Sequence, residues 1–292
     1  MNAAGQLLET TTSDGVRLAG FLQQSPESSS NRLALISHGV CGNFYSSSLL
    51  DSVCETLHAS GVSTLRINNR GRDGIAFHST NTGFARHGSA YESMADAPLD
   101  LAAWATTAKQ LGYDHIGAVG HSLGALKTVL WVTENEPQPG PEFLILMSPP
   151  RFEPTALRVP SRTKKFETDV ATARENIEST RPEAMLKVSH PFPMMITAAT
   201  FADKYDSGTR WDYVDRLAKI SVPTLLTFGE REVTDRESTF RGVETVVRSA
   251  IANRPDHQCE VIPNGDHNYT RARRDLCQTI STWLHPISTH TP

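Results

Sequence analysis

Short apolar runs separated by longer segments of helical spacing govern what this chain can fold into. The runs are Leu33–Ser37, Ser63–Ile67, Ile116–Val119, Phe143–Met147, Thr224–Phe228 and Glu260–Ile262. Several are apolar without interruption, as expected of parallel strands covered by helices on both faces. Helical spacing occupies residues 43–59, 90–111, 123–135, 237–253 and 269–284. Strands alternating with helices predict an α/β fold with a mostly parallel, doubly wound sheet. Ahead of them, Leu7–Leu22 reads as two further strands around a Ser13-Asp14-Gly15 turn, which makes eight strands in all. Residues Ser25–Asn31 read as a polar turn leading out of that pair.

The alternation breaks once. Residues 150–205 show no strand pattern; Pro149-Pro150 and Pro191-Phe192-Pro193 flank a charged helical segment, Thr168–Ser179. An insertion after a strand of such a sheet is placed to cover its working edge. The expected organisation is therefore a core of residues 1–149 and 206–292, with a small helical cap formed by 150–205.

Charge narrows the function classes. The net charge of −4 comes with no basic stripe for nucleic acid. No apolar run approaches the ~18 residues of a membrane span. The opening Met1–Gly15 has neither the basic start nor the apolar core of a secretory signal, so a cytoplasmic protein is expected. The four cysteines, Cys41, Cys54, Cys259 and Cys277, show no C-x-x-C or zinc spacing and read as reduced thiols. No metal or organic cofactor is called for.

Gly120-His121-Ser122-Leu123-Gly124 falls where the run Ile116–Val119 gives way to the helical pattern from residue 123. A nucleophilic serine at such a junction needs a sharp turn and neighbours without side-chain bulk, which glycines two before and two after supply. The helix start also favours negative charge developing at the serine. A phosphate-binding loop is excluded, because Gly124 and Lys127 are separated by Ala125-Leu126 rather than contiguous.

Attack on a carbonyl needs two backbone N–H donors for the oxyanion. The residue after the serine, Leu123, supplies one. The turn His38-Gly39-Val40-Cys41-Gly42-Asn43 supplies the other, from Val40, with Cys41 as the alternative. His38 reads as a structural hydrogen-bonding residue. Of the 11 histidines, His267 sits in a glycine-containing loop after the last strand and is placed to act as base. His121 is expected to point away across the turn, and His257 lies before the last strand, at the wrong edge of the sheet. For the acid, Glu230, Glu232 and Asp235 compete after Thr224–Phe228; the position three beyond Gly229 favours Glu232.

The order His38-Gly39, Gly120-His121-Ser122-Leu123-Gly124, Gly229-x-x-Glu232, Gly265-Asp266-His267 resembles the α/β-hydrolase superfamily over nearly the whole chain. More narrowly, the chain is similar to hydrolases related to the fungal siderophore esterase, the fusarinine C esterase-like group. That likeness rests on Asn43-Phe44-Tyr45, Asn68-Asn69-Arg70-Gly71, Tyr91-Glu92, the Gly-His-Ser-Leu-Gly-Ala-Leu-Lys segment ending at Lys127, and Phe201-Ala202-Asp203-Lys204-Tyr205. The resemblance implies an eight-stranded α/β-hydrolase fold and a serine hydrolase acting on a small ester or related acyl substrate. Many members carry aspartate where this chain has Glu232. Acyl transfer, thioester, lactone or carbon–carbon cleavage on the same triad, or ligand binding without catalysis, are the alternative expectations. Asn69, Arg70, Tyr91, Glu92 and Lys127 read as scaffold around the site. The cluster Arg162, Lys164 and Lys165 reads as a solvated helix end.

Overall fold

The computed structural model describes residues 5–26, 31–134 and 140–289. The polar turn expected at Ser25–Asn31 therefore lies partly outside the described residues, as does the end of the helix expected over 123–135.

The chain opens with β1 (Gln6–Thr11) and β2 (Arg17–Gln23). Between them Gly15, at φ +89°, closes the expected turn. Then follow β3 (Arg32–Ser37), α1 (Ser48–Ala59) and β4 (Ser63–Ile67), and a hairpin of β5 (Ala76–Thr80) and β6 (Gly83–His87). Next come α2 (Ala97–Gln110), β7 (His115–His121), α3 (Leu123–Glu134) and β8 (Leu144–Met147). The segment after β8 holds α4 (Thr163–Glu178), β9 (Met185–Val188), β10 (Met194–Thr197) and α5 (Ala198–Tyr205). The chain returns to the sheet with β11 (Thr224–Gly229), α6 (Glu230–Thr234), α7 (Val243–Ala250), β12 (His257–Ile262) and α8 (Arg273–Thr289).

The main sheet has eight strands in the order β1-β2-β4-β3-β7-β8-β11-β12. Its first two pairings, β1 with β2 and β2 with β4, are antiparallel; the rest are parallel. Each strand read from the sequence takes a place in this sheet. Alternate residues of the central strands feed two cores. On one face α1 and α8 cover Ala34, Ile36, Val119 and Ile145; on the other α2, α3 and α7 cover Leu33, Leu35, Ala118 and Leu144. Uninterrupted apolar runs are thus what a two-faced sheet requires. No described helix is long and apolar enough to cross a membrane.

Two expectations are corrected. Residues 150–205 do contain strands: β9 and β10 form an antiparallel hairpin, Met194 opposite Val188 and Thr197 opposite Met185. Each has only four residues, too few for alternation to rise above the surrounding polar sequence. The helix expected from Thr168 begins at Thr163 instead, because Phe166 is buried against the core and Lys165 pairs with Asp169 one turn on. Three cations in and before a first helical turn oppose the helix dipole, which hides that start in the sequence. The β5–β6 hairpin was also not apparent, since Phe77 and Phe84 remain exposed and no apolar face marks it.

Candidate active site

In a parallel sheet the C-terminal ends of the strands share one rim, so the loops leaving β3, β7, β11 and β12 meet there although they lie far apart in sequence. The turn after β7 carries Ser122 at φ +54°, a left-handed conformation unusual for a residue with a Cβ. It is held by the Ser122 amide donating to the Met147 carbonyl at 2.8 Å and by α3 starting at the next residue. The flanking glycines are required by contact. A Cβ on Gly120 would lie 2.5 Å from the Ala125 backbone, and one on Gly124 would lie 2.5 Å from the Ser37 and His38 carbonyl oxygens.

The turn after β3 runs alongside. Gly39 packs so closely on Ser122 that an added Cβ would stand 3.1 Å from the serine Cβ. The Gly42 amide donates to the Gly39 carbonyl at 3.1 Å, and Cys41 at φ +55° completes a tight turn with Val40 at its first corner. Neither the Val40 nor the Leu123 amide has a hydrogen-bond partner among the described residues, and both residues line the cavity at Ser122. His38 is buried. Its Nδ1–H donates to the Gly39 carbonyl at 2.8 Å, which fits the structural reading of the sequence.

From the other side come the acid and the imidazole. His267 Nε2 lies 3.0 Å from Ser122 Oγ, and His267 Nδ1 lies 2.8 Å from Glu232 Oε2. The three side chains named from the sequence are thus brought together. The competing carboxylates are engaged elsewhere: Glu230 accepts from the Asn264 amide at 2.8 Å, and Asp235 accepts from the Glu237 amide at 2.9 Å. Glu232 divides its oxygens. Oε1 accepts from the Gly229 amide at 2.7 Å and from the Ser148 hydroxyl, leaving Oε2 for the imidazole. Since Ser148 donates to the carboxylate, Tyr269 OH must donate to Ser148 and Thr227 to Tyr269, each at 2.9 Å. This relay of hydroxyls stabilises a buried carboxylate. Contact between the two loops depends on Gly229 and Gly265, as a Cβ on Gly229 would lie 2.5 Å from the Gly265 carbonyl oxygen.

His121 departs from expectation. It does not turn away but reaches across the rim, where its Nε2–H donates to the His267 carbonyl at 2.8 Å. Its ring lies 5.0 Å from that of His267, which also meets the Phe240 ring at 4.8 Å. His121 therefore braces the imidazole loop. His257, the first residue of β12, is buried at the opposite end of the sheet from the rim.

A second set of buried charges lies behind the β3 turn. Glu92 bridges Lys127 on α3 and Lys204 on α5, the latter at 2.8 Å, and Lys127 also donates to Asn69 Oδ1 at 2.8 Å. Burial would raise the Glu92 carboxyl, but the two ammonium groups hold it down to about 2. The network fastens the segment after β8 to the core. Arg70 is similarly held by Asp100 and Asp14. Among the sequence-singled residues, Asn69, Arg70, Glu92 and Lys127 thus have scaffold roles; Lys204 as partner, and Ser148 and Tyr269 behind the acid, were not foreseen.

Acid sensitivity follows from two buried histidines. Burial pushes His38 down to about 4, assisted by the nearby Lys127 charge, and pushes His121 down to about 3, assisted by His267. In the unfolded chain both titrate near 6.5. Below that pH the unfolded state binds protons that the native state refuses, so stability falls until pH passes the depressed native values. A loss of roughly 2 kcal/mol per histidine is expected at pH 5 relative to pH 7.5. Urea midpoints measured at the two pH values check this; a midpoint that does not move would contradict it.

The rim opens on a cavity of about 850 Å³, within the range of small-molecule sites. Residues of the segment after β8, including Phe152, Leu157, Phe192 and Tyr205, form an apolar wall. The basic residues Arg162, Lys164 and Lys165 do not line it. Among the described residues no group of three or more His, Cys, Asp or Glu side chains is arranged to hold a metal, and the four cysteines are free.

The model of the Alpha/beta hydrolase family matches residues 34–278. Solved structures share the fold at low identity. An esterase of Pyrococcus furiosus is 18% identical, with 97% of this chain and 91% of that chain covered and a TM-score of 0.66. Est1E of Butyrivibrio proteoclasticus, with ferulic acid bound, is 18% identical, with 95% and 98% covered and a TM-score of 0.66. A soluble variant of the monoglyceride lipase of Saccharomyces cerevisiae, in complex with a substrate analogue, is 13% identical, with 97% and 95% covered and a TM-score of 0.68. No curated protein matches the sequence.

Proposed function

The chain belongs to the alpha/beta hydrolase family, and from that premise we propose that it is a serine hydrolase cleaving carboxylic esters of small molecules. The observation that carries this reading is the continuous line Ser122 Oγ–His267 Nε2, 3.0 Å, and His267 Nδ1–Glu232 Oε2, 2.8 Å, in the lining of a cavity. An esterase and a monoglyceride lipase among the structural neighbours support the substrate class.

In this reading Ser122 Oγ attacks the ester carbonyl carbon while His267 Nε2 takes its proton. Glu232 holds Nδ1–H, fixes the tautomer and stabilises the imidazolium. The carbonyl oxygen becomes an oxyanion bound by the unpartnered amides of Val40 and Leu123, at the start of α3. Collapse of the tetrahedral species expels the alcohol, which receives the proton from His267 and leaves an acyl group on Ser122. Water, deprotonated by His267, then attacks the acyl carbon; the bond to Ser122 Oγ breaks, the serine takes the proton back from His267, and the acid is released. The segment 150–205 acts as a cap that supplies the apolar wall.

A fluorophosphonate probe tests the nucleophile. Labelling of the wild-type chain and none of Ser122→Ala is the expected result. Equal labelling of both, or of neither, would remove the basis for the proposal.

A further inference from the structure

Two guanidinium groups line the cavity, and they differ. Arg151 is bound to Asp212, with its closest contact at 2.6 Å. Arg273 has no ion pair among the described residues, and its Nε, shielded from solvent, has no hydrogen-bond partner. The two carboxylates lining the cavity are already used: Glu232 by His267, and Glu237 by the Ser161 amide and hydroxyl. Arg273 is only half-buried, so its guanidinium, without a carboxylate partner of its own, can pair with an anion that enters the cavity.

The surroundings favour an anion. Arg273 is the first residue of α8, and α8 packs beside α1, which starts at Ser48 in the same cavity wall. Two helix N-termini thus border one wall, and both favour negative charge. A cation at such a place is unfavourable by itself and becomes favourable once an anion sits between. Arg273 stands between this cavity and an outer groove that it borders with Ser52, Glu55 and Cys277, and it forms no ion pair with Glu55. The wall also carries Ser46, Ser47, Asn268 and Thr270, beside the apolar Leu49 and Leu50.

We propose that Arg273 binds a carboxylate carried by the substrate away from its scissile bond, so that the cavity takes esters bearing a free acid. A single guanidinium matches one carboxylate through two parallel N–H bonds. The apolar wall under the cap holds the rest of the molecule. This inference rests on the ester-hydrolase reading for its catalytic consequence, while its binding consequence stands apart from it.

The experiment has two arms. In the first, p-nitrophenyl hemiesters of glutaric, adipic and suberic acids are compared with neutral p-nitrophenyl acyl esters of matching chain length. The ratio of kcat/KM, acid over neutral, is expected to fall about tenfold or more in Arg273→Gln, chiefly through KM, and to stay unchanged in Arg274→Gln. Taking the ratio within each variant removes any general loss from misfolding. In the second, adipate binding is measured by calorimetry on Ser122→Ala with and without Arg273→Gln, with thermal unfolding as a check on folding. Binding weakened about tenfold by the second substitution supports the proposal even where no ester is cleaved. Adipate binding that is absent, or unaffected by Arg273→Gln, overturns it. Failure of the ester-hydrolase reading shows separately, as no fluorophosphonate labelling of Ser122.

Discussion

Replacing His267 with alanine is expected to lower kcat for a p-nitrophenyl ester by roughly 10⁶-fold, and Ser122→Ala to do the same. The two losses are of one size because the residues act as a unit. Without the imidazole at 3.0 Å, the Ser122 hydroxyl keeps its proton and is a poor nucleophile. Without the hydroxyl, the imidazole has nothing to deprotonate but water. The double variant should therefore be no worse than either single one, since what remains comes from the oxyanion donors and binding. Steady-state kinetics on the three variants measure this; additive losses in the double variant would show that the two groups do not share a step.

Glu232→Gln is expected to cost about 10⁴-fold in kcat with little change in KM, and Asp235→Asn less than about twofold. The argument is one of donors and acceptors. Oε1 must accept from the Gly229 amide, at 2.7 Å, and Oε2 must accept from His267 Nδ1–H, at 2.8 Å. A glutamine has one oxygen for these two acceptor positions. If its oxygen faces His267, its NH₂ opposes the Gly229 N–H. If the oxygen faces Gly229, the NH₂ turns to Nδ1 and selects the tautomer that cannot accept the serine proton. The charge that would balance the imidazolium is gone either way. Asp235 accepts from the Glu237 amide on its own loop and has no such role. A large loss in Asp235→Asn with Glu232→Gln near wild type would reverse the assignment of the acid.

Much of this arrangement was legible in the sequence, for a physical reason. Strands buried on both faces are continuous apolar runs, so the central strands of the main sheet declare themselves, while β1 and β2 show through the turn between them. Turns that need close backbone approach declare themselves through glycine, as Gly120, Gly124, Gly229 and Gly265 do. Ser122, Glu232 and His267 are readable because each follows such a strand and such a glycine. What stayed hidden depends on pairings between distant segments. Nothing near Ser148 announces that Tyr269, 121 residues away, will complete the relay behind Glu232. Glu92 meets Lys204 across 112 residues, and α5 carries that lysine with no local sign of its burial. The contact of His121 with the His267 loop is hidden as well, because the local sequence of the turn after β7 does not show the loop it braces. The four-residue strands β9 and β10 are too short to leave a period in the sequence.

The central claim is covalent: the substrate's acyl group resides on Ser122 part-way through turnover. Wild-type protein mixed with p-nitrophenyl butyrate, quenched in acid within the first turnovers and digested, is read by mass spectrometry. The account predicts a butyryl group on the peptide containing Ser122, absent in Ser122→Ala and longer-lived in His267→Ala among the molecules that acylate at all. Rapid release of p-nitrophenol by wild type with no acylated Ser122 at any quench time, or with the acyl group on another residue, would contradict it.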